Sequence, residues 1–316
     1  LPKDLVWWFL PILFLEHVNQ EIYRLLIVLS KQITASLLLF IRQGSWAIGV
    51  SGLMMVNESA RNLHLLLMLW ACAGILAAAA GLSAVRTMRL GGWREPVEWA
   101  WIKKGISISS AFLIAPLSVR AIQTVDRYWL QDLAGLEAVG VYVLFVGVSS
   151  ALAIFLDAAI FSFRYPELVA LGNQNKIGEL HRSTRRLALH TLGICFLFAL
   201  VSLIVLPLLL RWIDRELYVT QIALFYWILA AQIAYSLSMV PHYALYALSR
   251  DRPLIVSHLI SLPVFLVTSL FLIKISPLYA VPVGVFFAML TILLWKSWVY
   301  LKIVFHDVRK HHFNPL

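Results

Sequence analysis

The sequence contains a succession of long apolar runs, and these runs limit the chain to one broad class of fold. Hydrophobic residues make up 61% of the 316 residues and charged residues only 13%, whereas a soluble domain has about 25% charged residues. A helix needs about 20 mostly apolar residues to cross a bilayer, because its backbone polar groups must be satisfied within the segment. The sequence therefore predicts an all-α polytopic membrane protein.

Nine membrane spans are expected on this template. The first span is the least apolar of the nine, because Glu16, Glu21 and Arg24 lie in its second half. No stretch between the runs resembles a soluble domain or a low-complexity linker. The spans lie at roughly 5–26, 33–57, 63–85, 104–125, 138–163, 188–210, 220–246, 254–273 and 279–301, each close to the length of about 20 residues that a bilayer requires.

Lysine and arginine are distributed unevenly between the two alternate sets of loops. The set that includes 86–104, 164–186, and Lys296 together with the C-terminus contains roughly three times as many of them as the other set, and basic loops stay cytoplasmic. This asymmetry predicts an N-terminus outside and a cytoplasmic C-terminus. Basic loops facing anionic membrane lipids account for the net charge of +10, so no nucleic-acid partner is expected.

The side chains that carry most enzymatic and metal chemistry are sparse. Cys72 and Cys195 both lie inside apolar runs, where a thiol behaves as a small hydrophobic group. His242 and His258 have no Cys, Asp or Glu at metal-ligand spacing. Catalysis needs converging acids, bases or metal ligands, usually on a substantial loop, and no outer link exceeds about a dozen residues. We expect no metal, no cofactor and no catalytic residue, and a membrane-embedded polymerase or transferase remains the alternative from another class.

The stretch VDRYWLQDLAGLEAVGVY at 125–142 joins two of the predicted spans. Its alternating leucines would let the short link lie against the membrane interface. Gly135 and Gly140 would allow the chain to turn back tightly into the bilayer, because glycine adopts backbone conformations that other residues avoid. The stretch is therefore interpreted as a hinge between two helices at a membrane surface.

This hinge resembles a known family. Asp126 and Arg127 at the end of a span, a leucine-rich link with Gly135, then Gly140 and Tyr142, with Tyr165–Pro166 closing the next span, are similar to the polysaccharide-biosynthesis flippases. These are the O-antigen and capsule repeat-unit translocases of the multidrug/oligosaccharidyl-lipid/polysaccharide exporter superfamily. The segments WIKKGISISSAFLIAPL at 101–117 and FLEHVNQEIYRLLIVLSKQITASLLLFIRQGSW at 14–46 also resemble parts of that family.

The resemblance implies a two-lobe architecture in which this chain corresponds to helices four to twelve of twelve. Residues 1–92 would be the remainder of the N-terminal lobe, with three helices, and residues 93–316 the six-helix C-terminal lobe. The three spans that the family places before them are expected to be missing from this chain. We expect it either to be a fragment or to derive from a truncated gene.

The function implied is the flipping of an undecaprenyl-diphosphate-linked oligosaccharide across the bacterial inner membrane, for O-antigen, capsule or exopolysaccharide synthesis. The substrate, membrane lipids and a polysaccharide polymerase would be its partners. A multidrug or cation antiporter of the same superfamily is the alternative transporter.

Arg42 and Arg120 are the cations that lie deepest in the predicted spans. Arg42 lies about nine residues, or ~14 Å at 1.5 Å per residue, beyond the nearer end of its span. An ionisable group in hydrocarbon usually faces protein or water and is a functional candidate. Both arginines are candidate substrate-binding residues for a diphosphate or an acidic sugar. The alternatives are an ion pair of Arg42 with Glu16 or Glu21, and a side chain of Arg120 that reaches the outer surface.

Asp126, Arg127 and Asp157 complete the set of candidates. Asp126 and Arg127 are further candidates for the substrate-binding cavity, with a simple ion pair at the interface as the alternative. Asp157 is the only carboxylate well within a predicted span and is the candidate for proton coupling. Its alternative is a structural bond to a neighbouring serine or to Arg164.

Overall fold

The computed structural model describes residues 6–88 and 96–313. All regular elements within these residues are helical, so the predicted all-α class is confirmed. The chain divides into two compact units, Leu1–Val97 and Glu98–Leu316, which are considered separately. The predicted boundary between residues 92 and 93 lies outside the described residues.

The first unit contains three long helices: α1 (Val6–Val28), α2 (Gln32–Val56) and α3 (Leu63–Thr87). The side chain of Asn62 caps α3 by accepting a hydrogen bond from the backbone N–H of Leu65, which satisfies one of the unpaired donors of the first turn. Helix α2 contains a π-helical turn at Phe40–Ser45. The core of this unit lies where the three helices meet, at Ile22, Leu26, Ile27, Ala35, Leu38 and Val85.

The second unit begins with a helical hairpin. Its first helical segment, Trp99–Leu156, contains one non-helical residue, Gly135, with φ 85° and ψ 170°, a conformation that is essentially restricted to glycine. We call the arm before Gly135 (99–134) α4 and the arm after it (136–173) α5; α5 includes a π-helical turn at Asp157–Phe161. Gly140, predicted to share the turning role, does not have a positive φ.

A hydrogen bond between Tyr142 and Asp126 demonstrates that the two arms fold back on each other. These residues are 16 positions apart, which would separate them by about 24 Å along a straight helix. The break at Gly135 therefore reverses the chain. It explains why two apolar runs follow each other with only a short polar link between them.

The remaining helices pack around this hairpin. Helix α10 (Pro277–Phe313) makes extensive contacts with α8 (Ala223–Ala247) and α9 (Asp251–Ile273), and the hairpin of α4 and α5 packs against both α8 and α9. The largest hydrophobic core of the unit includes Leu130, Phe145, Phe225, Phe265 and Ile292. The helices are α6 (Ile177–Ile213), α7 (Glu216–Thr220), α8 (Ala223–Ala247), α9 (Asp251–Ile273) and α10 (Pro277–Phe313).

Seven helical segments among the described residues are long and apolar enough to cross a membrane, which supports a multi-pass membrane protein. Two physical reasons account for the difference from the nine predicted spans. The segment Ala115–Asn173 contains both the fourth and the fifth predicted spans, folded at Gly135. Helix α1 corresponds to the first predicted span, but its polar second half makes it less apolar than the other seven.

The outer face of α6 is suited to contact with lipid. Large apolar side chains along this helix are half or more exposed, including Leu189, Leu192, Phe196 and Ile204. A soluble protein rarely leaves so continuous an apolar surface in water. In a bilayer the same face lies against acyl chains without cost.

Candidate functional site

The second unit encloses a cavity of about 920 Å³. Helices α4, α5, α8, α9 and α10 all contribute to its wall, which combines apolar side chains with a group of polar and charged ones. The polar and charged residues are Arg120, Gln123, Thr124, Asp126, Arg127, Tyr142, Ser150, Gln232, Tyr235, His242, Tyr246 and His258.

One face of α8 follows the cavity for most of the helix length. The lining residues recur at intervals of three and four, which keeps them on one side of a helix. From the first to the last they cover about 27 Å at 1.5 Å per residue. The cavity is therefore elongated along this helix, which contributes Ile228, Ala231, Gln232, Tyr235, Met239, His242 and Tyr246.

Asp126 is held rigidly at the cavity wall, close to the Gly135 turn. Its side chain is buried, and its two oxygens accept hydrogen bonds from the hydroxyl of Tyr142 and from the backbone N–H of Arg127, both at 2.7 Å. Hydrogen bonds to a charged acceptor are short and strong. The carboxylate thus joins α4 to α5, and each of its oxygens accepts a hydrogen bond.

Removing the Tyr142 hydroxyl is expected to loosen this hairpin. In Tyr142→Phe one oxygen of a buried carboxylate loses its donor, which should lower the free energy of unfolding by about 1–2 kcal/mol. Thermal unfolding of the purified protein in detergent measures the change. Tyr128→Phe is the matched control, because Tyr128 lies on the same hairpin but is 69% exposed. Equal melting temperatures for the two variants would contradict the structural role of Tyr142.

Arg120 and Arg127 line the same cavity with exposed side chains. Arg120 donates one hydrogen bond, 3.3 Å long, to Gln123. A guanidinium has five N–H donors in a planar fork, so most of its donor capacity remains available. The structure therefore brings three of the four predicted substrate-binding residues, Arg120, Asp126 and Arg127, to one wall.

Arg42 belongs to the first unit and is paired within it. Its Nε atom lies 3.0 Å from Glu16 Oε2, although the N–H of Arg42 does not point at that oxygen closely enough to count as a hydrogen bond. Trp70 donates to the other oxygen of Glu16 at 2.9 Å and stacks on Trp46 with 5.2 Å between ring centroids. Arg42 was considered either as a substrate-binding residue or as the partner of a glutamate in α1. The structure contains the ion pair with Glu16.

Asp157 is exposed on α5 and does not belong to the described residues that line the cavity. It lies within electrostatic range of Tyr235 and Tyr243, and Tyr235 does line the cavity. Arg164, one of the partners considered for it, instead pairs with Glu167 at 2.9 Å. Proton coupling through Asp157 stays a prediction.

Two of the three charged residues that were predicted to lie deep within spans, Arg42 and Asp157, lie in π-helical turns. Arg42 belongs to the turn Phe40–Ser45 and Asp157 begins the turn Asp157–Phe161. Such turns are rare and occur frequently at functional sites, because the extra residue shifts the directions of the side chains around it. Sequence patterns did not reveal either turn.

Lys296 is the residue that sequence reasoning misjudged most. Its position near the end of a span suggested a cytoplasmic loop cation, yet the side chain is fully buried. Its Nζ atom lies 3.1 Å from His242 Nδ1 and 3.1 Å from His258 Nε2. The one indication of burial in the sequence is that Lys296 lies between two apolar turns, in LLWKSWVY. The same pattern is also typical of a helix end at the interface.

Comparison of the chain with family models, with curated proteins and with solved structures finds no match.

Proposed function

We propose that this protein is a lipid-linked oligosaccharide flippase of the bacterial cytoplasmic membrane. It would move an undecaprenyl-diphosphate-linked saccharide between the two leaflets, as the resemblance to the polysaccharide-biosynthesis flippases implies. The observation that carries the proposal is the charge of the cavity in the second unit. Arg120 and Arg127 offer guanidinium donors there, whereas each carboxylate oxygen of Asp126 already accepts a hydrogen bond.

This imbalance favours an anionic head group over a cationic drug. A cation antiporter needs carboxylates to bind its substrate, and Asp126 is the only acidic residue among the described residues of the cavity wall, where it is accompanied by two arginines. Arginine binds phosphate oxygens in a bidentate geometry. The cavity therefore suits a diphosphate better than it suits an organic cation.

The other polar residues of the cavity suit a saccharide. Gln123, Gln232, Tyr142, Tyr235 and Tyr246 line it, and amides and phenols supply both donors and acceptors for sugar hydroxyls. Aromatic rings also offer apolar faces on which the faces of sugar rings can pack. A sugar head would lie in this polar cavity while the lipid tail stays in the bilayer.

The mechanism proposed is alternating access, in which the binding site opens to each side of the membrane in turn. Arg42 is left out of the proposed binding site because its guanidinium is paired with Glu16. A polysaccharide polymerase that consumes the delivered repeat unit would act next.

Reconstitution into lipid vesicles tests the proposal. A fluorescent undecaprenyl-diphosphate disaccharide is placed in the vesicles, and its movement between leaflets is followed by a membrane-impermeant quencher. Arg120→Met and Arg127→Met are each expected to slow translocation about tenfold, the equivalent of ~1.4 kcal/mol for one lost charge-assisted contact. Arg211→Met is the matched control, because Arg211 is exposed at the end of α6 and does not line the cavity.

Three outcomes would overturn the proposal. Wild-type protein could leave the saccharide in its original leaflet, or the Arg120 and Arg127 variants could transport it at the rate of the Arg211 variant. Transport of a fluorescent organic cation without transport of the saccharide would instead indicate the antiporter.

A further inference from the structure

A cluster of three basic side chains joins α8, α9 and α10 beside the cavity. Lys296 of α10 lies between His242 of α8 and His258 of α9, with its Nζ atom 3.1 Å from one ring nitrogen of each. The two imidazole rings are nearly perpendicular, with centroids 6.4 Å apart. Both histidines line the cavity, while Lys296 is completely buried behind them.

With Lys296 as an ammonium group, the contacts assign the ring nitrogens that carry hydrogen. A lysine ammonium has three donors and no acceptor, so the two nitrogens beside it must accept. His242 Nδ1 and His258 Nε2 are then without hydrogen, and the hydrogens lie on His242 Nε2 and His258 Nδ1. His258 Nδ1 is buried and has no hydrogen-bond partner, although buried donors in proteins are almost always satisfied. The cluster therefore holds an unused N–H donor.

The cluster also has no negative partner within the described part of the chain. No carboxylate there lies within 4.0 Å of Lys296; the ion pairs of the second unit involve other residues, such as Arg164 and Glu167. A buried charge without a partner costs several kcal/mol. An acidic group of a ligand would supply the missing counterion and favour the charged form of Lys296.

The cluster lies at a different level of the cavity from the two arginines. Arg120 is within electrostatic range of Tyr235, and His242 follows Tyr235 by two helical turns on the same face of α8, or about 10 Å at 1.5 Å per residue. One elongated ligand can therefore place separate acidic groups at the two levels.

We infer that Lys296, His242 and His258 form a second anion-binding site in the cavity, which binds a phosphate or carboxylate group of the transported molecule. This inference rests on the proposed function and specifies its substrate class further. His242 contacts the acidic group through its Nε2–H donor, and His258 holds Lys296 from the other side. Lys296 is a positioning residue, because it holds the tautomer that presents this donor and supplies the positive charge behind it.

Ligand binding to the purified full chain in detergent tests the inference. Farnesyl diphosphate is the probe for a phosphate of the lipid carrier, and sodium glucuronate is the probe for an acidic sugar; titration calorimetry measures both dissociation constants. Lys296→Met is expected to weaken the binding of at least one probe about tenfold. Lys302→Met is the matched control, because it makes the same change at an exposed position on the same helix.

Two further variants keep the test decisive if Lys296→Met does not fold. His258→Gln and His242→Gln each remove one imidazole and keep an N–H donor in the side chain. The amide places its donor differently and loses the contact with Lys296. Each variant is therefore expected to weaken the binding of the same probe whose binding Lys296→Met weakens. A purely structural role of the cluster would change the melting temperature and leave both dissociation constants unaltered.

Each outcome has a distinct meaning. A loss confined to farnesyl diphosphate assigns the site to the lipid-linked phosphate, and a loss confined to glucuronate assigns it to an acidic sugar. Unchanged binding of both probes in all folded cluster variants, with weaker binding in Arg120→Met, would overturn this inference and leave the proposed function standing. Binding of neither probe by the wild-type protein would overturn both.

Discussion

Replacing Arg42 with methionine is expected to lower the free energy of unfolding by about 3 kcal/mol. Breaking a buried ion pair by removing one partner costs about 3–5 kcal/mol, because the other charge stays behind without compensation. The Arg42 side chain is 10% exposed and that of Glu16 is 24% exposed, so the lower end of this range applies. Trp70 alone would then stabilise the remaining carboxylate poorly, because it supplies a single N–H donor and no positive charge.

The first unit contains a matched control for this prediction. Arg24 pairs with Glu21 at 2.7 Å, but the two side chains are 61% and 53% exposed, and exposed pairs contribute at most about 1 kcal/mol. Arg24→Met should therefore have little effect on thermal unfolding in detergent. Adding Glu16→Gln to Arg42→Met should recover much of the lost stability. Equal losses for the Arg24 and Arg42 variants, or no recovery in the double variant, would contradict the buried pair.

Gly172→Ala is expected to cost about 3 kcal/mol, the upper end of the range for overpacking a tightly packed interface. A Cβ atom added at Gly172 would lie 2.1 Å from the backbone carbonyl oxygen of Ala247. A backbone atom cannot rotate away as a side chain can, so α5 and α8 must move apart. The loss should appear as a lower melting temperature of the purified protein.

Gly193→Ala is the control for Gly172→Ala. Gly193 lies in the middle of α6, and a Cβ atom there would have no neighbour within 4 Å. Alanine in a helix interior is favoured over glycine by about 0.5–1 kcal/mol, so this variant should be at least as stable as the wild type. A destabilised Gly193→Ala, or a Gly172→Ala of wild-type stability, would show that the contact at Ala247 is not tight.

Several structural features follow from short stretches of sequence. Hydropathy alone identified the apolar helices, because each one satisfies its backbone within its own residues and needs no partner to be recognised. The turn was predicted at Gly135 and Gly140, because glycines in a short polar link are a local signal, and the structure places it at Gly135. The polar second half of α1, with Glu16 and Glu21, also marked that helix as different from the others.

The candidate site was predictable only in part. The sequence predicted a role for three charged residues near the end of an apolar run, Arg120, Asp126 and Arg127. The fold brings all three to one cavity wall. The bond from Tyr142 to Asp126 depends on the reversal at Gly135, which makes neighbours of residues 16 positions apart. The partner of Arg42 came from a different helix, although Glu16 was one of two candidates.

Lys296 illustrates what remained hidden. Its contacts, His242 and His258, are 54 and 38 positions away in the sequence. A lysine near the end of an apolar helix usually extends its amine to the interface, and the apolar residues on both sides of Lys296 are typical of such a helix end as well as of a buried position. Its burial results from the packing of α10 against α8 and α9.

The sequence by itself determined that this chain consists of apolar membrane helices, with a hairpin turn in the link that contains Gly135 and Gly140, because hydropathy and glycine conformation act over a few neighbouring residues. The tertiary structure decided which charges are paired and which face a cavity. Arg42 is neutralised by Glu16, Arg120 and Arg127 line the cavity, and Lys296 lies behind two histidines. These differences arise because a charge responds to every group within a few ångströms of it, and helix packing brings those groups from distant parts of the chain.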